Sequence, residues 1–155
     1  MDRREIIQKL KEFFDLQELV GKWEYQAHGE LCWRYLRTEL LHTLLIVRRD
    51  ILKAPMYANN WVWDGNYDER GLRVNISTEV KAKTSRGALY VSAHCLGAAL
   101  DFTVKGMSAE NARQKIIQNA HLLPYPIRLE KGVSWVHLDV YDDINSNQKV
   151  TLFKA

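Results

Sequence analysis

The hydrophobic pattern predicts an α+β domain, with helices first and most of the strands after them. Three observations lead there. Apolar residues recur at steps of three or four through the region ending at Leu52. Short runs of β-forming residues take over from about Ala88. No repeat, low-complexity segment or Pro/Gly-rich linker divides the 155 residues, so one domain over 1–155 with one core is expected.

A first helix is expected over about residues 3–13. Asp15 suits the N-cap of a short second helix, and Glu18, three residues on, completes a capping box. The longest helix is expected from about Glu30 to Leu52. Leu36, Leu40, Leu44, Val47 and Ile51 mark its apolar face, while Arg34, Arg37, Arg48 and Arg49 lie mainly off it as solvated charges. Ala54-Pro55 ends it, because the residue before Pro is pushed out of helical geometry. His42 has no ligand partner one turn away and reads as structural or exposed.

The stretch Met56–Gly71 is rich in aromatics, Asn and Asp. It reads first as a loop with aromatics tucked beneath it, and alternatively as a cleft wall that stacks on peptide or sugar. Ala88–Ser92 and Ala99–Val104 read as strands. Ser108 caps a helix to about Ala120, with Ala109, Ala112, Ile116, Ile117 and Ala120 inside and Glu110 complementing the helix dipole. Pro124 and Pro126 separate it from a strand at Ile127–Glu130, and Lys131-Gly132 reads as a tight hairpin turn. Ser134 to Tyr141 alternates: Trp135, His137 and Asp139 share one face, and Val136, Leu138 and Val140 the other.

The chemistry concentrates in Ser92-Ala93-His94-Cys95-Leu96-Gly97-Ala98-Ala99-Leu100-Asp101, and in Ser134-Trp135-Val136-His137-Leu138-Asp139 downstream. His94, Asp101 and His137 form a zinc ligand set that leaves one position open. A lone His would more simply be a hydrogen-bonded core residue. Gly97 lets the chain turn between the first two ligands, and Ala98 and Ala99 keep that turn lean. Ser92 and Asp139 are placed to orient ligand imidazoles.

The order Ser-x-His-x-x-Gly-x-Ala-x-Asp, then Trp-x-His-x-Asp, resembles the zinc D-alanyl-D-alanine carboxypeptidase family. That family includes phage L-alanyl-D-glutamate endolysins and shares its fold with the Hedgehog signalling domain. The segment from Phe13 to Glu18 is similar to the family's opening. The resemblance implies helices packed on one antiparallel sheet and an open zinc cleft. It also implies hydrolysis of a peptide bond next to a D-amino acid in peptidoglycan. Zinc in such a site acidifies a water and polarises the scissile carbonyl. Ser92, Trp135 and Asp139 fall at the family's positions beside the ligands.

The family also carries an Arg upstream of the first His that holds the substrate carboxylate. Gly71-Leu72-Arg73 takes that place, with Leu72 where the family often has Tyr, and Arg86 is a rival. A guanidinium fork suits a carboxylate. Many relatives have an acid three positions before the second His. Ser134 stands there and cannot take a proton. Glu130, seven positions before His137, is the candidate general base. A three-residue loop would set it near Ser134, a two-residue loop beside Val133, and it also reads as a solvated hairpin charge.

A net charge of +3 without a dense basic stripe argues against nucleic acid and mildly favours an anionic wall polymer. No apolar run approaches a membrane span. Cys32 reads as a small buried residue, and Cys95 as a neighbour of the site rather than a nucleophile. Two lone cysteines fit a reducing compartment. Met1–Glu5 does not open a secretory leader, so synthesis in a cytoplasm is expected. A phage holin or a virion would then deliver the chain to the wall. The alternative function is a non-catalytic zinc module of a virion or wall-binding protein, which Ser134 favours.

Overall fold

The computed structural model describes residues 1–141 and 147–155. The helical half comprises α1 (Arg3–Leu10), α2 (Leu16–Leu19), α3 (Lys22–His28) and α4 (Thr38–Ile46), followed later by α5 (Thr78–Thr84) and α6 (Ala109–Gln118). Among the described residues, five strands form one sheet: β1 (Met56–Tyr57), β2 (Ala99–Val104), β3 (Ile127–Glu130), β4 (Val136–Asp139) and β5 (Val150–Phe153), in the order β1-β2-β4-β3-β5. The class is α+β, as the pattern predicts.

The long helix expected over 30–52 is broken. Gly29–Tyr35 is a 3₁₀ stretch, Leu36 turns to extended geometry, and α4 then runs on into a π-helical stretch at Val47–Leu52. The cause is local. Arg3 donates to the carbonyls of Trp33 (2.6 Å) and Leu36 (2.9 Å) and to the Thr38 hydroxyl (2.6 Å). Arg37 N–H donates to Gly97 O at 2.9 Å instead of continuing a helix. The expected apolar face survives the break, and Leu36, Leu40, Leu44, Val47 and Ile51 are all buried. Lys53, in left-handed geometry, closes the π-helical stretch just before Ala54-Pro55. Both expected helix starts hold: Glu18 accepts from Asp15 N–H at 3.0 Å, and Ser108 accepts from Asn111 N–H at 3.1 Å.

The pleat then sorts the sheet into two faces. Leu100, Phe102, Val136, Leu138, Ile127 and Leu129 are buried in the core with the helices. Asp101, Thr103, His137, Asp139, Arg128 and Glu130 alternate with them and take the opposite face. The sheet is mixed rather than purely antiparallel, because β5 runs parallel to β3. The outer edge of β3 has donors to satisfy, and the returning chain satisfies them: Ile127 N–H bonds Lys149 O (2.9 Å) and Lys131 N–H bonds Phe153 O (2.8 Å).

Two further expectations fail. Ala88–Ser92 forms no strand. The β3–β4 connection is not a tight turn at Lys131-Gly132 but a loop over 131–135. Buried Arg113 holds that loop open, donating to Trp135 O (2.9 Å) and Val133 O (3.2 Å). No helix among the described residues is long and apolar enough to cross a membrane.

Two carboxyls are held in surroundings that disfavour their charge. Burial pushes Glu18 up to about 7. Glu24 is also raised, by burial first and then by the charges of Asp68 and Glu69. An acid whose folded pKa lies above its unfolded value, near 4.5, stabilises the fold most below that unfolded value. The contribution is lost as pH rises through about 7. Urea unfolding should therefore show lower stability at pH 8 than at pH 5. Glu18→Gln keeps the cap and should remove about 1–2 kcal/mol of that difference, the figure being reduced for partial exposure. An unchanged slope in this variant would remove Glu18 as the cause.

Candidate metal centre

Asp101 and His137 face each other across the β2–β4 ladder as a directly opposed pair. His94 arrives from the turn before β2. That turn needs Gly97, whose φ is +62° and where any Cβ would overlap the Tyr35 carbonyl oxygen. Gly71 is required for a similar reason: a Cβ there would overlap the Leu19 carbonyl oxygen. Its own carbonyl accepts from His94 Nδ1–H at 2.7 Å, which leaves His94 Nε2 facing the centre.

The three expected ligands come together, buried, with one donor atom each inside 4.8 Å of the others. His94 Nε2 lies 3.3 Å from His137 Nδ1 and 3.3 Å from Asp101 Oδ2, and His137 Nδ1 lies 2.7 Å from Asp101 Oδ1. A tetrahedral zinc with bonds of ~2.0–2.1 Å sets its ligand atoms ~3.3 Å apart. Two of the three separations match that edge, and the third is a hydrogen bond. The donor set therefore could hold a metal ion, and among the described residues it is the one such cluster.

Asp139 orients His137, accepting from Nε2–H at 2.8 Å. Asp139 is fixed in turn by a bidentate pair with Arg128 at 2.9 and 2.9 Å and by Tyr141 N–H at 3.0 Å. Ser92 does not orient an imidazole. Its hydroxyl lies 3.4 Å from both Cys95 N and Cys95 Sγ, and it steadies the turn that carries His94. The group that orients His94 is the Gly71 carbonyl, which no side-chain motif could reveal. Both cysteines are free, and Cys32 is buried as expected.

Burial would raise the pKa of Asp101, but hydrogen bonds from His137 and His94 outweigh it and hold the carboxyl well below the usual range. Burial would lower that of His137, but Asp101 and Asp139 on its two nitrogens push it up to about 9. Asp139 is likewise lowered against its burial, by His137 and Arg128.

The centre opens into a cavity of about 470 Å³. Arg73, Glu130, Trp135, Tyr90, Arg128 and Phe153 contribute to its walls. Arg73 donates to Glu69 O (2.7 Å) and to Asp101 Oδ2 (3.3 Å). Arg86 is exposed, beyond the end of α5 and outside this cavity. Ser134 lines a separate cavity with Glu110 and Arg113. Neither expected loop length is found: extending the β3–β4 register sets Glu130 opposite His137, on the same face of the sheet. Arg128 and Phe153 were missed in sequence. The first follows once the hairpin register pairs it with Asp139, and the second belongs to a strand that the periodicity alone did not mark. Family models, curated proteins and solved structures offer no match to this chain.

A metal ion on His137 Nδ1 must displace the proton that Asp101 holds there. Apparent metal affinity should therefore fall about tenfold per pH unit as pH drops below about 9. Competition with a chromophoric chelator from pH 6.5 to 8.5 measures this. His94→Ala should abolish tight binding of about one zinc per chain. Unchanged stoichiometry would refute the ligand assignment.

Proposed function

We propose that this chain is a zinc-dependent peptidase that hydrolyses peptide bonds next to D-amino acids in bacterial peptidoglycan. One observation carries the reading: His94, Asp101 and His137 converge at the floor of an open cavity that also presents Arg73 and Glu130. A zinc ion held by the three ligands supplies Lewis acidity toward a carbonyl and lowers the pKa of water. The family resemblance of the two motifs supplies the substrate class.

The side chains divide the remaining work. Arg73 presents a guanidinium, fixed through its Nε to Glu69 O, to a substrate carboxylate. Glu130 stands opposite His137 and makes no ion pair among the described residues, so its Oε atoms are open to take a proton from the attacking water. Asp139 and the Gly71 carbonyl hold both imidazoles in the tautomers that aim a nitrogen at the centre. Trp135 and Phe153 supply apolar wall to the cavity.

A second reading, a metal module without catalysis, is favoured by the contact of Arg73 with Asp101, which engages the guanidinium inside the site. A digest of purified peptidoglycan with the zinc-loaded chain, read by mass of the released peptides, decides between them. Release of stem-peptide fragments supports the peptidase, and inertness over a range of pH supports the module.

Glu130→Gln should keep the fold and the zinc and lose about a hundred- to ten-thousandfold in rate. Equal rates would show that another group takes the proton. Arg73→Ala should lower kcat/KM by an amount equivalent to ~2–5 kcal/mol of transition-state binding, with zinc still bound. Normal kinetics would remove Arg73 from substrate recognition.

A further inference from the structure

A second cavity, of about 510 Å³, lies beside the metal centre and plays no part in the chemistry above. Three aromatic rings ring it with large exposed faces: Trp63 (59% exposed), Tyr57 (49%) and Tyr67 (49%). Aromatic residues this exposed are costly unless something covers them. The expectation of aromatics tucked beneath a loop holds for Trp61, whose indole N–H bonds Val20 O at 3.1 Å. It fails for Trp63.

The loop that displays these rings is rigid. Asn60 and Tyr67 tie its two ends together: Asn60 N–H and Trp61 N–H both donate to Tyr67 O, at 2.9 and 3.2 Å. Tyr67 N–H donates to the Asn60 side-chain oxygen at 2.8 Å, and Gly65 N–H to Asn60 O at 3.0 Å. Asn59, fully buried, anchors the loop to Val20 O and Arg70 N–H. Arg70 lies flat on Tyr67, its guanidinium carbon 3.6 Å from the ring centroid. The rings are thus held in place before any ligand arrives.

The cavity neighbours the metal centre through residues that a third cavity shares with each. Thr103 on its floor and Asp101 alternate on one face of β2, about 7 Å apart. Asp101 N–H bonds Arg70 O at 2.7 Å. A shallow cavity lined by Tyr67, Arg70, Arg73, Asp101 and Trp135 joins the two.

We infer that the Tyr57–Trp63–Tyr67 cavity binds a pyranose ring of the glycan to which the cleaved peptide is attached. The inference rests on the peptidase reading for the source of the sugar, and on the cavity itself for the chemistry. A sugar ring offers a flat C–H face to an aromatic ring and hydroxyls to planar polar groups at its rim. Arg70 and Glu18 supply such groups here, a guanidinium and a carboxyl, which suit the hydroxyls of a neutral polyol. An extended peptide adding to the sheet edge is disfavoured, because β1 offers only two residues of ladder.

The test is an NMR titration of the whole chain with a β-1,4-linked tetramer of N-acetylglucosamine, in zinc-loaded and metal-free forms. Shift changes should centre on residues 57–70 and Thr103 in both forms. Trp63→Ala should weaken binding about tenfold, and Tyr57→Ala should do so independently, each with unchanged melting temperature. Absence of shifts, shifts confined to the metal cavity, or wild-type affinity in both variants overturns the inference. So does a titration in which a free stem peptide, and not the sugar, moves the Trp63 signals. Sugar binding with no hydrolysis of wall peptides refutes the peptidase reading and leaves the sugar site. Hydrolysis without sugar binding does the reverse.

Discussion

The pairing of Asp101 with His137 across β2 and β4 is the constraint on which the rest of the site depends. It is the one register that serves both faces of the sheet. With these two residues opposed, Leu100, Phe102, Val136 and Leu138 all point into the core, and every one of them is buried. A slip of one residue would drive a carboxylate and an imidazole into that core and expose the apolar set. Hydrophobic burial therefore holds the metal ligands in line. Side chains that converge from two central strands inherit the rigidity of the core behind them.

Each ligand is then aimed by a group outside the set. His137 is held between two carboxylates, and the outer one, Asp139, is itself gripped by the Arg128 fork. Asp139 is completely buried, so its charge is tolerable only with that partner. His94 is aimed by a backbone carbonyl, that of Gly71, in a segment that packs so tightly on Leu19 that a side chain has no room. The same segment carries Arg73 two residues on and Arg70 one residue before. One glycine thus couples an imidazole tautomer to the position of two arginines. It also couples the metal centre to the aromatic loop.

The parts of this arrangement that were legible in sequence are those written in local periodicity. The alternation of Trp135, His137 and Asp139 against Val136, Leu138 and Val140 gave the face of β4 correctly, and the small residues after Gly97 gave the lean turn into β2. The unread parts depend on contacts remote in sequence. Arg3 breaks the helix expected over 30–52 from more than thirty residues away. Ala88–Ser92 has the residues of a strand but joins no ladder. β5 exists because β3 has an open edge, and nothing in Val150–Phe153 announces a parallel partner. Ser92 matched a motif position, yet its hydroxyl serves the backbone of the turn rather than a ring.

The position of Glu130 follows from the same long-range logic. Arg113 on α6 reaches two carbonyls of the 131–135 loop and lengthens the β3–β4 connection beyond a tight turn. That length sets the register in which Arg128 meets Asp139. It turns Ser134 away toward α6, into a different cavity from the metal ligands. An acid at position 134 would therefore face Arg113 and Glu110 rather than a substrate. On the neighbouring strand, the residue opposite His137 is Glu130. Ser134 thus leaves no vacancy among the residues around His94, Asp101 and His137, because that position lines a different cavity.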